Sequence, residues 1–198
     1  MGRIFCLMGK SSSGKDTIYR ALTEDREFPL KRMVPYTTRP IREGEQEGRE
    51  YHFITEQELM RLESEGRIVE LRSYHTVHGI WKYMTVCEEE MDLDRYSWLV
   101  IGTLESWHAL RHYFGKEKLA SIYIEVEDGL RLERALMREQ RQQKPEYEEM
   151  CRRFLADAKD FSEERLQEEE ITRRFQNVNI DSCIKEIKLF IQEEMRYN

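Results

Sequence analysis

The stretch Gly9-Lys10-Ser11-Ser12-Ser13-Gly14-Lys15-Asp16-Thr17 constrains the fold more tightly than any other part of the chain. It follows a continuous apolar run, Ile4-Phe5-Cys6-Leu7-Met8, of the kind that forms a strand buried on both faces. It opens a segment from Asp16 to Leu22 that reads as a helix. The result is strand, glycine-bounded loop and helix, with G-x-x-x-x-G-K at the junction. Gly9 and Gly14 let the backbone curl with its N–H groups inward, the helix start adds the positive end of its dipole, and Lys15 adds a full charge. Such a nest holds the β- and γ-phosphates of a nucleotide. One position departs from the motif: the hydroxyl expected after the lysine to hold Mg²⁺ is replaced by Asp16, and Thr17 comes one place late. Asp16 as a direct metal ligand and Asp16 as a charge that repels phosphate both stay open. The alternative, a Gly/Ser-rich turn that binds nothing, is disfavoured by the strand before and the helix after.

The rest of the chain alternates in the same way. Leu30 to Val34, Tyr51 to Ile54, Ile68 to Leu71, Ile80 to Tyr83, Trp98 to Ile101, Leu119 to Val126 and Phe175 to Ile180 read as strands, with a turn at His78-Gly79. Helices are predicted from Glu56 to Ser64, capped by Thr55 with Glu58 at the capping-box position, and from Leu104 to Phe114. Others are predicted from Asp128 until Pro145 breaks it, from Glu146 onward, and after a Ser182 cap. Glu88 to Asp94 reads as a solvated acidic helix, and Pro35 to Glu50 as a long loop. Strands alternating with helices predict an α/β fold with a parallel sheet covered on both faces, and ligands in such folds sit at the carboxyl ends of the strands.

Composition narrows the partners. At 198 residues the chain suits one domain with insertions, and its net charge of −7 argues against general nucleic-acid or anionic-membrane binding. Cys6, Cys87, Cys151 and Cys183 are widely spaced without C-x-x-C, so they read as buried thiols in a reducing compartment. No stretch reads as a signal peptide or a membrane span, and the expected location is cytoplasmic.

Two basic elements stand out. Transferring a phosphoryl group requires two anions brought into line and their charge neutralised. Arg39 and Arg42 in the long loop are candidates for the second anion site, because a guanidinium fork binds phosphate bidentately. Two incidental arginines on a solvated loop are the competing reading. Arg134, Arg138 and Arg141, spaced to share one helix face, with Arg152 and Arg153 beyond, suit either a lid over the phosphates or a face paired with nearby glutamates.

Taken in order, Gly9 to Lys15, Thr37-Thr38-Arg39, Arg42, Gly44-Glu45, Gly48, Glu50-Tyr51-His52-Phe53 and Ile68-Val69-Glu70 resemble the guanylate kinase family of P-loop kinases, and the likeness runs over essentially the whole chain. The resemblance implies a three-layer α/β/α P-loop kinase core with a parallel sheet (1–32, 86–127 and 175–198), a mononucleotide-binding insertion (33–85) and an arginine-rich lid (128–174). It implies phosphoryl transfer from ATP with Mg²⁺ to GMP or dGMP, in a monomer or homodimer. ATP phosphates would be held by Gly9, Ser11, Ser12, Ser13, Gly14, Lys15, Asp16, Thr17 and Arg134. The acceptor nucleotide would be held by Arg39, Arg42, Tyr51, Glu70, Tyr83 and Thr85, with Glu70 accepting from guanine N1 and N2. Lys15, Arg42, Arg138 and Arg153 would act on the moving phosphoryl group, and Asp16 is the candidate metal ligand. Four departures accompany the likeness: Asp16; Pro35 and Tyr36 before Thr37; Val100 and Gly102 where the family tends to carry acids; and a longer hairpin between Glu70 and Tyr83. They keep two alternatives in play, a nucleotide- or protein-binding module with weak catalysis and a kinase for another small phosphorylated acceptor.

Overall fold

A computed structural model describes residues 2–26, 28–42, 44–76, 79–88 and 91–196. In chain order its elements are β1 (Ile4–Gly9), α1 (Lys15–Thr23), β2 (Leu30–Arg32), β3 (Tyr36–Thr37), β4 (His52–Phe53), α2 (Glu56–Ser64), β5 (Ile68–Thr76), β6 (Gly79–Val86) and β7 (Ser97–Ile101). There follow α3 (Leu104–Phe114), β8 (Leu119–Glu125), α4 (Asp128–Gln140), α5 (Tyr147–Asp160), α6 (Glu163–Glu168), β9 (Arg174–Gln176) and α7 (Ile180–Arg196).

The strand before the phosphate loop is the middle of the main sheet, ordered β2-β7-β1-β8-β9 with every pairing parallel. Its period-2 alternation divides one apolar run between two cores. Ile4, Cys6 and Met8 pack with Trp98, Val100, Leu104, Trp107 and Leu166 on one face. Phe5 and Leu7 pack with Ile18, Leu22, Leu99, Phe175, Ile187 and Ile191 on the other. All five β1 side chains from Ile4 to Met8 are fully buried. Helices α1 and α7 therefore cover one face and α3 and α6 the other, which makes the three-layer α/β/α core.

A second sheet, β4-β3-β6-β5, stands apart from the first in pairing. Its apolar face is closed by Leu59 and Leu62 of α2 against Met84 and Val86. The predicted capping box holds α2: Thr55 Oγ1 accepts from Glu58 N–H, and a Glu58 carboxylate oxygen accepts from Thr55 N–H at 2.8 Å.

Several expectations are corrected. The loop after Pro35 contains β3, because Tyr36 and Thr37 pair with both β4 and β6. The strands predicted at Ile68 and Ile80 are longer and form one hairpin through Thr76 and Gly79, while the turn residue His78 lies outside the described residues. No helix forms among the described residues of 88–94, of which 89 and 90 lie outside them. There Asp92 Oδ1 accepts from Asp94 and Arg95 N–H and holds a turn, a local bond that competes with helix. The strand predicted through Ile180 stops at Gln176, and α7 starts earlier than expected, so Asn179 caps it by accepting from Ser182 N–H at 3.0 Å. Helix α4 ends at Gln140, ahead of Pro145, with Arg141 at its cap. Of the cysteines only Cys6 and Cys183 are buried; Cys151 is exposed.

Candidate active site

The phosphate loop leaves β1 at its carboxyl end and enters α1. Gly14 adopts the left-handed region (φ 88°), and a Cβ there would lie 2.5 Å from Asn177 Nδ2, so no larger residue fits. That amide of Asn177, at the end of β9, donates to the Ser13 carbonyl at 2.7 Å and fixes the loop from the neighbouring strand. Helix α1 has no side-chain cap at Gly14; Thr17 N–H turns back onto the Gly14 carbonyl at 3.1 Å, and the Lys15 and Asp16 N–H groups ahead of it are left for a ligand. Ser12 Oγ and Ser13 Oγ are buried without a hydrogen-bond partner among the described residues. Open amides and orphaned hydroxyls around one lysine fit an anion of several oxygens. Burial pushes the Lys15 ammonium below the usual lysine range; Asp16 and Asp157 oppose that, and Arg153 and Arg138 add to it.

The lid helices grip this loop through one residue, Ser11, at both its N–H and its carbonyl. Asp157 Oδ2, on α5, accepts from Ser11 N–H at 2.7 Å, while Arg131 Nε, on α4, donates to the Ser11 carbonyl at 3.0 Å. Arg131 is almost fully buried, pairs with Asp157 at 3.1 Å and Asp128 at 2.5 Å, and lies 4.8 Å from the Phe154 ring centroid. Arg134 donates to the Asn177 carbonyl at 3.1 Å. Arg138 and Arg153 line a cavity of about 210 Å³ with Ser11, Ser12 and Phe154. Arg141 and Arg152 do not join them: Arg141 ends α4, and Arg152 forks onto Glu149 at 2.6 and 2.7 Å.

On the other side of Lys15 lies a cavity of about 570 Å³, lined by Lys15, Asp16, Tyr51, Tyr83 and Thr85 from the predicted set. Arg20, Arg32, Arg49 and Arg72 also line it, against the carboxylates of Asp16, Glu24 and Glu50. The cations outnumber the acids in a chain of net charge −7. Arg39, Arg42 and Glu70 are not among the lining residues. Arg39 is 3% exposed and its fork is taken by Glu45, at 2.7 and 2.6 Å, under the Tyr51 and Phe53 rings. That hydrogen-bonded fork pulls the Glu45 carboxyl down to about 2. Arg42 lies 5.6 Å from the Trp81 ring centroid. Glu70 is covered by Arg72, whose Nε stands 2.7 Å from Glu70 Oε1 in an ion pair without hydrogen-bond alignment.

Reasoning from sequence did not single out Arg131, Asp157, Asn177 or Arg72 as site residues. Arg131 was visible in the arginine-rich helix, and Asn177 stands at a strand's carboxyl end, where parallel sheets place ligand contacts. Asp157 had no local signal.

A lysine-bearing loop between two cavities, one walled by arginines of two helices, is the arrangement of a P-loop kinase core with a lid, and the fold places the chain in that class. Within the class it belongs to the guanylate kinase family, whose model, described as "Guanylate kinase", matches residues 1–194. The chain is 33% identical over 159 residues to the guanylate kinase of Oleidesulfovibrio alaskensis, covering 80% of this chain and 72% of that one. Against the guanylate kinase of Lactobacillus delbrueckii subsp. bulgaricus, identity is 36% over 73 residues, 37% of this chain and 36% of the relative, so that match spans about a third of the relative's length. The crystal structure of guanylate kinase from Anaplasma phagocytophilum superposes with a TM-score of 0.64 at 25% identity, covering 98% of this chain and 86% of that one. No described helix is long and apolar enough to cross a membrane.

Proposed function

We propose that this chain transfers a phosphoryl group from ATP to a nucleoside monophosphate, with GMP or dGMP as acceptor and GDP or dGDP as product. The observation that carries the reading is Lys15: a partly desolvated ammonium beside uncapped α1 amides and the orphaned Ser12 and Ser13 hydroxyls, between the two cavities. The α1 amides and the loop hydroxyls bind the donor's phosphates; Lys15 neutralises charge that builds on the moving group. Arg138 and Arg153, across the smaller cavity, add donors to the same group. Closing the lid excludes water and limits wasted hydrolysis. The phosphate end of the acceptor lies towards Tyr51, and Arg39 and Arg42 reach it once Glu45 and Trp81 release them. Asp16, at the mouth of the cavity beside Lys15, supplies one carboxylate, which suits Mg²⁺ held chiefly by phosphate oxygens and water. Mg²⁺, when bound, shields the phosphate charge.

Lys15→Met tests this directly. The variant is expected to bind GMP in a calorimeter as the wild type does while ADP release falls by roughly 10²-fold or more. Unchanged ADP release would remove Lys15 from the reaction.

A binding-module reading has one observation in its favour. At the carboxyl end of β7 Val100 is buried, and a Cβ at Gly102 would lie 2.9 Å from Ser106 Cβ and 3.0 Å from Cys6 Sγ. No acidic side chain is offered at either place, and none fits at 102. Nucleotide binding without ATP turnover is the signature of that reading.

A further inference from the structure

Glu70 and Arg72 are two residues apart in β5, so they share a face of the strand, opposite Thr85 and Tyr83 of β6. The two side chains are unequally presented. Glu70 is 8% exposed, its Oε1 is fully buried, and Thr85 Oγ1 approaches its Oε2 at 3.5 Å. Arg72 is 33% exposed and lines the larger cavity together with Tyr83, Thr85, Gly102 and Thr103. With Val100 buried and Gly102 bare, β7 supplies no carboxylate to that wall. The far end of the pocket therefore presents a guanidinium and hides the carboxylate behind it.

A guanidinium only donates. It matches two acceptors side by side, and the pairing that fits its fork on a purine is O6 with N7. The N1–H and N2 amino edge of guanine offers donors, which a guanidinium repels. Adenine places a donor at position 6. We propose that Arg72 is the specificity-determining residue of the acceptor pocket: it donates to the O6/N7 edge of a 6-oxopurine mononucleotide, and Glu70 acts as the positioning residue that holds it there. The acceptor's being a mononucleotide rests on the phosphoryl-transfer reading above; the edge that is read does not.

The two edges are separated by analogues. IMP keeps O6 and N7 but lacks the 2-amino group; 7-deaza-GMP keeps N1 and N2 but lacks N7. Calorimetric titration of the full chain with GMP, IMP, 7-deaza-GMP and AMP is expected to give GMP and IMP Kd values within about threefold of each other, with 7-deaza-GMP and AMP weaker by roughly tenfold. Arg72→Ala is expected to bring GMP to the level of AMP, and Arg72→Lys to restore part of the difference. If Arg72→Ala, which leaves a buried carboxylate unpaired, does not fold, the double variant Arg72→Ala with Glu70→Gln removes that charge and answers the same question. GMP tighter than IMP by about tenfold or more, with 7-deaza-GMP equal to GMP, would overturn the proposal and return base reading to Glu70. ADP release measured alongside keeps the two readings apart. The expected binding pattern without turnover removes the kinase reading and leaves Arg72 in its role. Absence of binding by any of the four nucleotides overturns both.

Discussion

Lys15 and Arg39 show how single side chains are held ready at a price in other contacts. Burial lowers the Lys15 pKa, and two lid arginines nearby push the same way, so its ammonium gains most when an anion arrives. Arg39 is instead kept from the cavity by Glu45. The Glu45 carboxyl titrates at about 2 in the folded chain against an unperturbed 4.5, because the Arg39 fork favours its charged form. A depressed folded-state pKa contributes stability that is fully present above the unfolded value and is lost as pH falls through the folded one. The Tm difference between wild type and Glu45→Gln is therefore expected to be largest above about pH 5 and to shrink steadily toward about pH 2. A difference that does not change with pH would show that Glu45 acts through packing alone.

At the scale of elements, the lid and the phosphate loop are joined through the N–H and the carbonyl of Ser11. Asp157→Asn keeps an oxygen for the Ser11 N–H but withdraws the charge facing buried Arg131. It is expected to lower stability by about 1–3 kcal/mol and to raise the KM for ATP more than it lowers kcat, as read by denaturant melts and ADP release. A fall in kcat with KM unchanged would place Asp157 in the chemical step instead. Thr55→Ala removes the α2 cap and is expected to cost about 1 kcal/mol in the same melts, with acceptor affinity following if the small sheet loosens. This scale also shows what could be read in advance. β1, β7 and β8 were legible because buried parallel strands are written as unbroken apolar runs. The α2 capping box was legible because its residues sit three apart. The two-residue strand β3 has no period to detect, and Asp92 turned an acidic helix into a turn through its own side chain. The Arg131–Asp157 pair joins residues 26 apart on different helices, a separation at which no local pattern exists.

For the whole molecule, the organising fact is that one loop serves two sheets' worth of structure. The parallel sheet carries Lys15 to its carboxyl edge, and the mixed sheet brings Tyr51, Arg72, Tyr83 and Thr85 to the cavity on the other side. The loop half of the candidate site was plain in the spacing of Gly9, Gly14 and Lys15. The cavity proposed for the acceptor was visible only as a set of polar and aromatic residues. Pairing across the β5–β6 hairpin puts Glu70 and Arg72 on one face, and the ion pair between them leaves Arg72 on the cavity wall and Glu70 covered. Removing material from the core tests the first half: Leu7→Ala, fully buried in β1, is expected to cost about 2–5 kcal/mol in a denaturant melt.

The measurement that bears most directly on the account is ADP release from Mg-ATP with GMP, dGMP, AMP, CMP and UMP offered one at a time. Rapid release with GMP and dGMP, and only background with the other three, is the predicted result. No release above background with any of the five, while GMP still binds, would contradict phosphoryl transfer and leave a nucleotide-binding module.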